Sequence, residues 1–403
     1  MSRSKIISIL VSVVIFLLCS LLPVYISAEE FFDNDFDYML DVPEGYKVAE
    51  MTPDGLSYRF SHDRMAVSLV LRLYVDGTYS STKDAVCATL DKFSAQYDID
   101  LFEWEERNAV ISSMKMTIPG SSVKCSGWTI GVDLEKYNAY LVLICYADED
   151  KAEDCQQFIV STLNSLSIGK SGRYTPGIFT SYAFPRNKSE TIQLKIAGKE
   201  IFTTIDKDDA AASEFVIDCE WAVLSLYAGN DLWKDAWVRY YKCIFRDSYS
   251  RVKQCAADIQ SAFEATAKRK NPENPNITMN EILLNWVQHF YYSRNTVNKK
   301  SADLTSIPAI LKGAASDCDG RGILVCALLG NMGTRSALFI SREYKHALYG
   351  ADLDVEGAKI YVDGTDFLLC ETTAKGVKPG LVARDMNDTE KWIPVDFFPA
   401  HSF

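Results

Sequence analysis

A cysteine followed at once by an apolar run stands out in the segment SDCDGRGILVCALLGNMG, residues 316–333. Cys318 lies where a helix would begin, with Ser316 and Asp317 as candidate capping residues. Because a cysteine attacks as the thiolate, a nucleophilic role predicts a lowered pKa for the Cys318 thiol. The partial positive charge at a helix N-terminus would contribute to that lowering. Cys326 lies inside the apolar run, and we expect it to be a buried thiol.

A nucleophilic cysteine needs an imidazole that accepts its proton. The chain has four histidines, and His346 is the one that follows Cys318 after a strand-like segment and a turn. His289 precedes the cysteine and His401 lies in the C-terminal tail. We therefore expect His346 to be the base. Gly320 and Gly322 are expected to leave the first helical turn open to a substrate.

Two other interpretations of Cys318 are a helix-capping thiol within the core and a metal ligand. A metal site needs three or four cysteine, histidine or carboxylate ligands at short spacing, and no such group surrounds Cys318. The sequence also has no calcium-loop pattern. We expect neither a metal nor another cofactor.

The segment SIPAILKGAASDCDGRGILVCALLGNMGTRSALFIS, followed by YKHALYG, resembles the bacterial and archaeal transglutaminase-like domain, a relative of papain-like proteases. The resemblance covers roughly residues 275–395, with Ser316 where the family more often has glycine. It implies that Cys318 attacks an amide carbonyl to form a thioester. It further implies that His346 activates the thiol and then protonates the leaving amine. Gln288, in NWVQHFYY, would help to stabilise the oxyanion.

Either of two carboxylates could orient His346. Asp363 in KIYVDGTD matches a strand ending that is common in the family. The CETT segment, which contains Glu371, resembles a subgroup of the family in which this segment supplies the acid. Asp-Gly between two alternating runs is a hairpin-turn signal, which would place Asp363 in a loop away from the imidazole. Glu371 would then lie in the next strand and could face His346. We favour Glu371 and keep Asp363 as the alternative.

Residues 1–28 have the pattern of a targeting segment. Arg3 and Lys5 precede a long apolar run, which predicts either a cleaved signal peptide or a retained membrane anchor. Lipidation at Cys19 is less favoured, because Leu18 before it is large for a lipoprotein signal. We therefore expect an exported protein in the periplasm, at the cell surface or outside the cell.

The rest of the chain predicts an α+β fold in three parts. Residues 31–170 read as an α+β sandwich in the order strands, helix, strands, helix, and this pattern resembles PsbP and Mog1. Residues 178–270 predict a hairpin with Gly198 at its turn, followed by helices. Residues 275–395 predict the cysteine domain, a buried helix packed on an antiparallel sheet. An aromatic stripe in the helical part is expected to be a packing face, with a ligand surface as the alternative: Trp233, Trp237, Tyr240 and Tyr241.

Composition restricts the classes of partner. The formal net charge is −12 and no basic block occurs, so binding to nucleic acid is not expected. The cysteines beyond Cys19 are scattered without a CxxC pair. This distribution favours buried thiols, with one or two disulfides as the alternative.

These observations predict an exported thiol enzyme that acts on amide bonds through a cysteine thioester. Transfer of the acyl group to an amine or hydrolysis by water would complete the reaction. The substrate would be a protein or peptide, of which a cell-wall peptide is one candidate. The alternative function is a non-catalytic cell-envelope binding protein with the same fold.

Overall fold

The computed structural model describes residues 30–118, 120–294 and 302–398. The targeting segment predicted at 1–28 and His401 lie outside these ranges. Within them, no helix has both the length and the apolar character needed to cross a membrane. The described residues form an α+β structure in which each of two large antiparallel sheets carries helices.

Seven antiparallel strands form the N-terminal sheet. In chain order they are β3 (Tyr46–Met51), β4 (Ser57–His62), β5 (Val67–Tyr74), β6 (Gln96–Trp104), β7 (Arg107–Thr117), β8 (Lys124–Leu134) and β9 (Ala139–Asp148). Their order in the sheet is β3-β4-β5-β9-β8-β7-β6. A smaller sheet beside it has three strands: β1 (Phe31–Asp33), β2 (Tyr38–Leu40) and β10 (Leu166–Ile168).

Helices cover both faces of the seven-stranded sheet. Helix α1 (Thr82–Lys92) and helix α2 (Gln156–Asn164) belong to different apolar cores. Along β9, Val142 joins the core that contains α1, and Leu143 joins the core that contains α2. Because successive strand residues point to opposite faces, this alternation shows that both faces of the sheet are buried at β9. The strand order places β9 at the centre of the sheet.

A connecting region links the two sheets. After α3 (Ile178–Ala183) come the antiparallel partners β11 (Ser189–Ile196) and β12 (Lys199–Asp206). Ala197 and Gly198 between them have positive φ angles, as a tight hairpin turn requires, so the predicted hairpin is confirmed.

Three long helices follow the hairpin. They are α4 (Asp209–Ser225), α5 (Trp233–Arg251) and α6 (Lys253–Lys270). Helices α5 and α6 meet at Val252, which ends the first and precedes the second. Helix α7 (Pro275–Val287) then leads to the C-terminal part.

The C-terminal part packs one buried helix against a five-stranded sheet. Its short helix α8 (Ile307–Leu311) precedes the buried helix α9 (Cys318–Asn331). The antiparallel strands are β13 (Ser336–Ser341), β14 (His346–Asp352), β15 (Lys359–Val362), β16 (Thr365–Cys370) and β17 (Ile393–Asp396). Their order is β15-β16-β14-β13-β17, so the two strands that follow α9 lie beside each other in the sheet.

Two glycines allow α9 to pack closely. A Cβ atom on Gly322 would lie 2.5 Å from Leu338 of β13, and one on Gly320 would lie 2.7 Å from Ile310 of α8. Both glycines are buried. The expectation that they leave the first turn open to substrate was wrong, because their small size lets neighbouring side chains approach the helix.

Cysteines make no covalent cross-link within the described residues. All ten cysteines there are free thiols, and most of them are buried. The interpretation as small buried side chains fits these positions better than disulfide pairing.

Candidate active site

Cys318 is the first residue of α9, and its side chain is almost completely buried. Asp317 is the N-cap residue, and its carboxylate accepts a hydrogen bond from the backbone N–H of Gly320 at 3.0 Å. The Cys318 thiol donates to Oδ1 of Asp319 at 3.0 Å, and the backbone N–H of Ala347 donates to the sulfur. Since Ala347 follows His346 on β14, the sulfur lies beside the start of that strand.

His346 and Glu371 form a hydrogen-bonded pair at the end of the sheet. His346 begins β14 and Glu371 follows the last residue of β16. The Nε2 atom of His346 lies 2.7 Å from Oε2 of Glu371, and both side chains are mostly buried. The other oxygen of Glu371 accepts from the backbone N–H and the hydroxyl of Thr373, each at 2.6 Å. Glu371 is thus held on both oxygens, which fixes its orientation toward the imidazole.

Burial tends to raise the pKa of Glu371, but its hydrogen bonds act in the opposite direction. The bond from His346 and the two bonds from Thr373 outweigh burial, so the pKa of Glu371 lies below its usual value. The carboxylate is therefore ionised at neutral pH. An ionised carboxylate is an acceptor only, so it favours the imidazole tautomer with its hydrogen on Nε2. Nδ1 is then left free to accept a proton.

The other candidate acid lies away from this pair. Asp363 occupies the turn between β15 and β16, with φ of 43°, and its side chain is exposed. Asp-Gly turn chemistry accounts for this position, as the sequence suggested. The structure brings Glu371, and not Asp363, to His346.

Gln288 lies close to the site but does not offer a free donor. Its Nε2 donates to the carbonyl oxygens of Glu371 at 2.8 Å and Val377 at 2.9 Å, and its Oε1 accepts from the N–H of Gly376 at 3.0 Å. Both hydrogens of the amide are used in these bonds. The expected oxyanion role does not match this arrangement. In the structure Gln288 holds the backbone of the loop that carries Glu371.

The state of the thiol differs from the expectation. Burial, followed by the carboxylates of Asp319 and Asp317, raises the pKa of Cys318, and the N–H of Ala347 opposes this rise only in part. The prediction of a lowered pKa was therefore wrong for this structure. The partial positive charge at the helix N-terminus does act to lower the pKa of the thiol. What the sequence argument omitted was the cost of burial beside two carboxylates.

Arg321 is a buried positioning residue that sequence reasoning missed. Its guanidinium donates to Oγ of Ser316 at 3.1 Å, to the carbonyl of Thr372 at 3.0 Å and to the carbonyl of Phe290 at 2.8 Å. It thereby ties the start of α9 to the loop after Glu371. The available signal was an arginine directly before the apolar run of a helix expected to be buried, since arginine is almost never fully buried without partners.

A cleft of about 880 Å³ opens beside the start of α9, and Asp319 lines it. Trp233 and Trp237 of α5 are half-buried and form part of its wall. Tyr240 and Tyr241 line it as well, although both are largely buried in the core. The aromatic stripe is therefore a packing face at Tyr240 and Tyr241, as expected, and it also lines the cleft.

A metal has no evident place among these groups. Within residues 30–118, 120–294 and 302–398, no three histidine, cysteine, aspartate or glutamate side chains are grouped so as to hold one.

Comparison with known proteins assigns no family. No protein-family model matches the chain, and no curated protein matches it. Similar solved structures include the PsbP protein of the cyanobacterium Synechocystis, at 10% identity and a TM-score of 0.29, covering 35% of this chain and 92% of that one. The Ran-binding protein Mog1p of Saccharomyces cerevisiae has 11% identity and a TM-score of 0.26, covering 34% and 94%.

A Bacteroides thetaiotaomicron protein covers more of the chain. The match spans 79% of this chain and 85% of that one, at 10% identity and a TM-score of 0.25. At TM-scores of this size the three similarities support no statement about family or activity.

Proposed function

We propose that this protein is an exported, transglutaminase-like thiol enzyme that processes amide bonds through a thioester on Cys318. The observation that carries the proposal is that the Cys318 sulfur lies at the start of β14, the strand that begins with a histidine hydrogen-bonded to glutamate. The sulfur accepts the N–H of Ala347, and the preceding residue, His346, is held by Glu371. A thiol at a helix N-terminus, a base and a group that orients the base are the parts of nucleophilic acyl transfer.

In the first half of the proposed reaction, Nδ1 of His346 takes the proton from Cys318. The sulfur attacks the amide carbon, the carbonyl π electrons move to oxygen, and unpaired N–H groups in the first turn of α9 stabilise the oxyanion. The oxyanion then re-forms the carbonyl as the C–N bond breaks. His346 gives its proton to the departing nitrogen, which leaves as an amine. Water or a second amine then attacks the thioester carbon and gives a proton to His346. The C–S bond breaks, the acyl group leaves as a carboxylic acid or a new amide, and His346 returns the proton to the sulfur.

Gln288 has a positioning role in this proposal. Its three hydrogen bonds hold the backbone from Glu371 to Val377, so that the Glu371 side chain can meet His346. Gln288 acts through that loop and does not touch the reacting atoms.

A second candidate function is a non-catalytic binding protein of the cell envelope. The buried thiol and the Asp319 carboxylate that accepts its hydrogen favour this candidate, because they keep Cys318 protonated. The two candidates differ in whether His346 controls the reactivity of Cys318.

Alkylation of Cys318 by iodoacetamide separates the two functions. We expect His346→Ala to lower the rate of alkylation at pH 7 at least about tenfold, because the thiol loses its proton acceptor. The rate is measured by peptide mapping with mass spectrometry, so that the other cysteines do not contribute. His289→Ala is the matched control, since His289 is exposed and its Nδ1 lies 2.7 Å from the carbonyl oxygen of Asn285. Equal rates in wild type and His346→Ala would favour the non-catalytic function.

A further inference from the structure

The cleft beside Cys318 has walls that are rich in aromatic rings. They come from the end of α4, the following turn and the start of α5, and from residues near α9. The rings that line it are Trp221, Tyr227, Trp233, Trp237, Tyr240 and Tyr241. Indole and phenol faces carry partial negative charge and attract cations that lie over them. Arg342 already illustrates this attraction, because its guanidinium lies 5.2 Å from the centre of the Trp233 ring.

Most charged groups of the cleft already have a charged or aromatic partner. Asp303 pairs with Arg294 at 3.3 Å, and Asp231 pairs with Arg64 at 2.8 Å. The contacts of Asp319 are of another kind: it accepts hydrogen bonds from the Tyr241 hydroxyl and the Cys318 thiol, which are both neutral. Both hydrogen-bond donors of Asp319 are therefore neutral, and the nearby Arg294, which pairs with Asp303, is a cation that acts on its charge.

A second carboxylate lies next to this one. Asp317 is buried, with 1% of its surface exposed, and its Oδ2 has no hydrogen-bond partner among the described residues. Burial, together with repulsion from Asp319, raises the pKa of Asp317 to about 7. Two carboxylates at one helix start, one with an unpartnered buried oxygen and one bonded by neutral donors, favour a positively charged ligand.

We propose that the cleft binds an alkylammonium side chain of a peptide substrate, of the lysine type, which pairs with Asp319 between the aromatic rings. The proposal rests on the function proposed above, because it assigns the substrate class of the same site. Aromatic walls bury the methylene groups of such a side chain and attract its charged end. The carboxylate supplies the ion pair that a neutral side chain of equal length could not make.

The same contact would connect substrate binding to the nucleophile. In the free protein Asp319 accepts the thiol hydrogen, which holds the proton on sulfur. An ammonium group at Asp319 would offset the negative charge beside the sulfur and compete for the oxygen that the thiol uses. The thiol proton would then be released to His346. Asp319 is thus a specificity residue that also restrains the thiol while the cleft is empty.

Two arginines near the cleft would favour a negatively charged ligand, and the test must distinguish this case from binding of an ammonium group. Arg294 lies close enough to Asp317 and Asp319 for their charges to raise its pKa against burial, and Arg342 lies over Trp233. If these two guanidinium groups were free to bind ligand, the cleft would prefer a carboxylate. The test therefore includes a probe of each charge.

Binding is measured by calorimetry on Cys318→Ala protein, in which no thioester can form. The probes are the N-acetyl methylamides of lysine, norleucine and glutamate. We expect lysine to bind at least about tenfold more tightly than norleucine, and glutamate to bind most weakly. Adding Asp319→Asn should remove the preference for lysine, whereas adding Asp366→Asn, at an exposed position of β16, should retain it. Equal binding of lysine and norleucine, or a preference for glutamate, would overturn the proposal.

A second measurement uses the intact thiol. Asp319→Asn in otherwise wild-type protein should raise the rate of Cys318 alkylation about tenfold, because one negative charge beside the sulfur is removed. An unchanged or lower rate would overturn the restraint assigned to Asp319. These results are separable from the proposed function, since the calorimetry needs no nucleophile and the His346→Ala comparison needs no ligand.

Discussion

Replacing Arg321 with alanine is expected to lower the free energy of unfolding by about 3–5 kcal/mol. The guanidinium makes three hydrogen bonds inside the C-terminal part, to Ser316, Thr372 and Phe290, and it is 1% exposed. The variant would leave two carbonyl groups without this donor and a cavity where the side chain lay. Urea denaturation followed by circular dichroism measures the change.

Two control variants show whether the bonding pattern of Arg321 is responsible. Arg321→Lys keeps the charge but cannot reach three acceptors with a planar fork, so we expect it to recover less than half of the loss. Arg269→Ala removes an exposed arginine near the end of α6 and should change stability by no more than about 0.5 kcal/mol. An Arg321→Ala variant as stable as Arg269→Ala would contradict the positioning role.

Glu371→Gln is expected to lower turnover about 10²–10⁴-fold while the fold stays intact. In the wild type, Thr373 donates two hydrogen bonds to Oε1 of Glu371, and His346 faces Oε2. In the variant the amide oxygen stays with the two Thr373 donors, so the NH₂ group faces the imidazole. Nε2 must then act as acceptor, the ring hydrogen moves to Nδ1, and Nδ1 can no longer take the thiol proton.

Nitrogen-15 spectra of the histidine ring measure this change of tautomer without a substrate. The wild type should carry hydrogen on Nε2 of His346, and Glu371→Gln should carry it on Nδ1. Asp363→Asn is the control, because Asp363 lies in the exposed turn between β15 and β16. In this variant the tautomer of His346 and the turnover should equal those of the wild type. If Asp363→Asn and Glu371→Gln lost turnover equally, the assignment of Glu371 as the orienting acid would fail.

Local sequence patterns were sufficient for much of the framework. Apolar alternation and turn chemistry identified the β11–β12 hairpin around Gly198. The Asp-Gly turn signal also placed Asp363 in a hairpin turn, which left Glu371 as the carboxylate expected to face His346. Both turns depend on adjacent residues, Ala197 with Gly198 and Asp363 with Gly364, where backbone preference is strong.

Other features depend on residues that are far apart in the chain. Tyr241 meets Asp319 across 78 positions, and Gln288 meets the Glu371 loop across 83 positions. No spacing rule connects such pairs, so neither the use of both Gln288 amide hydrogens nor the hydrogen bond from Tyr241 to Asp319 could be predicted. The strand β17 also has a weak sequence signal, because its four residues, Ile393–Asp396, include a proline and give no clear alternation.

The raised pKa of Cys318 also depends on the fold and not on local sequence alone. The helix N-terminus and the neighbouring acids were visible in the sequence, but their balance depends on burial, which the fold determines. A thiol that is protonated at rest is compatible with catalysis when a base beside it accepts the proton during the attack.

The most direct test of the central claim is to find the acyl group on the protein. Wild-type protein is incubated with a pool of glutamine-containing peptides and cell-wall stem peptides, quenched in acid and mapped by mass spectrometry. We predict an acyl adduct on Cys318 that hydroxylamine releases as a hydroxamate, and no adduct in Cys318→Ala. Cys326→Ala, which changes a buried thiol of the same helix, should form the adduct as the wild type does. Full processing of the same peptides by Cys318→Ala would contradict the claim.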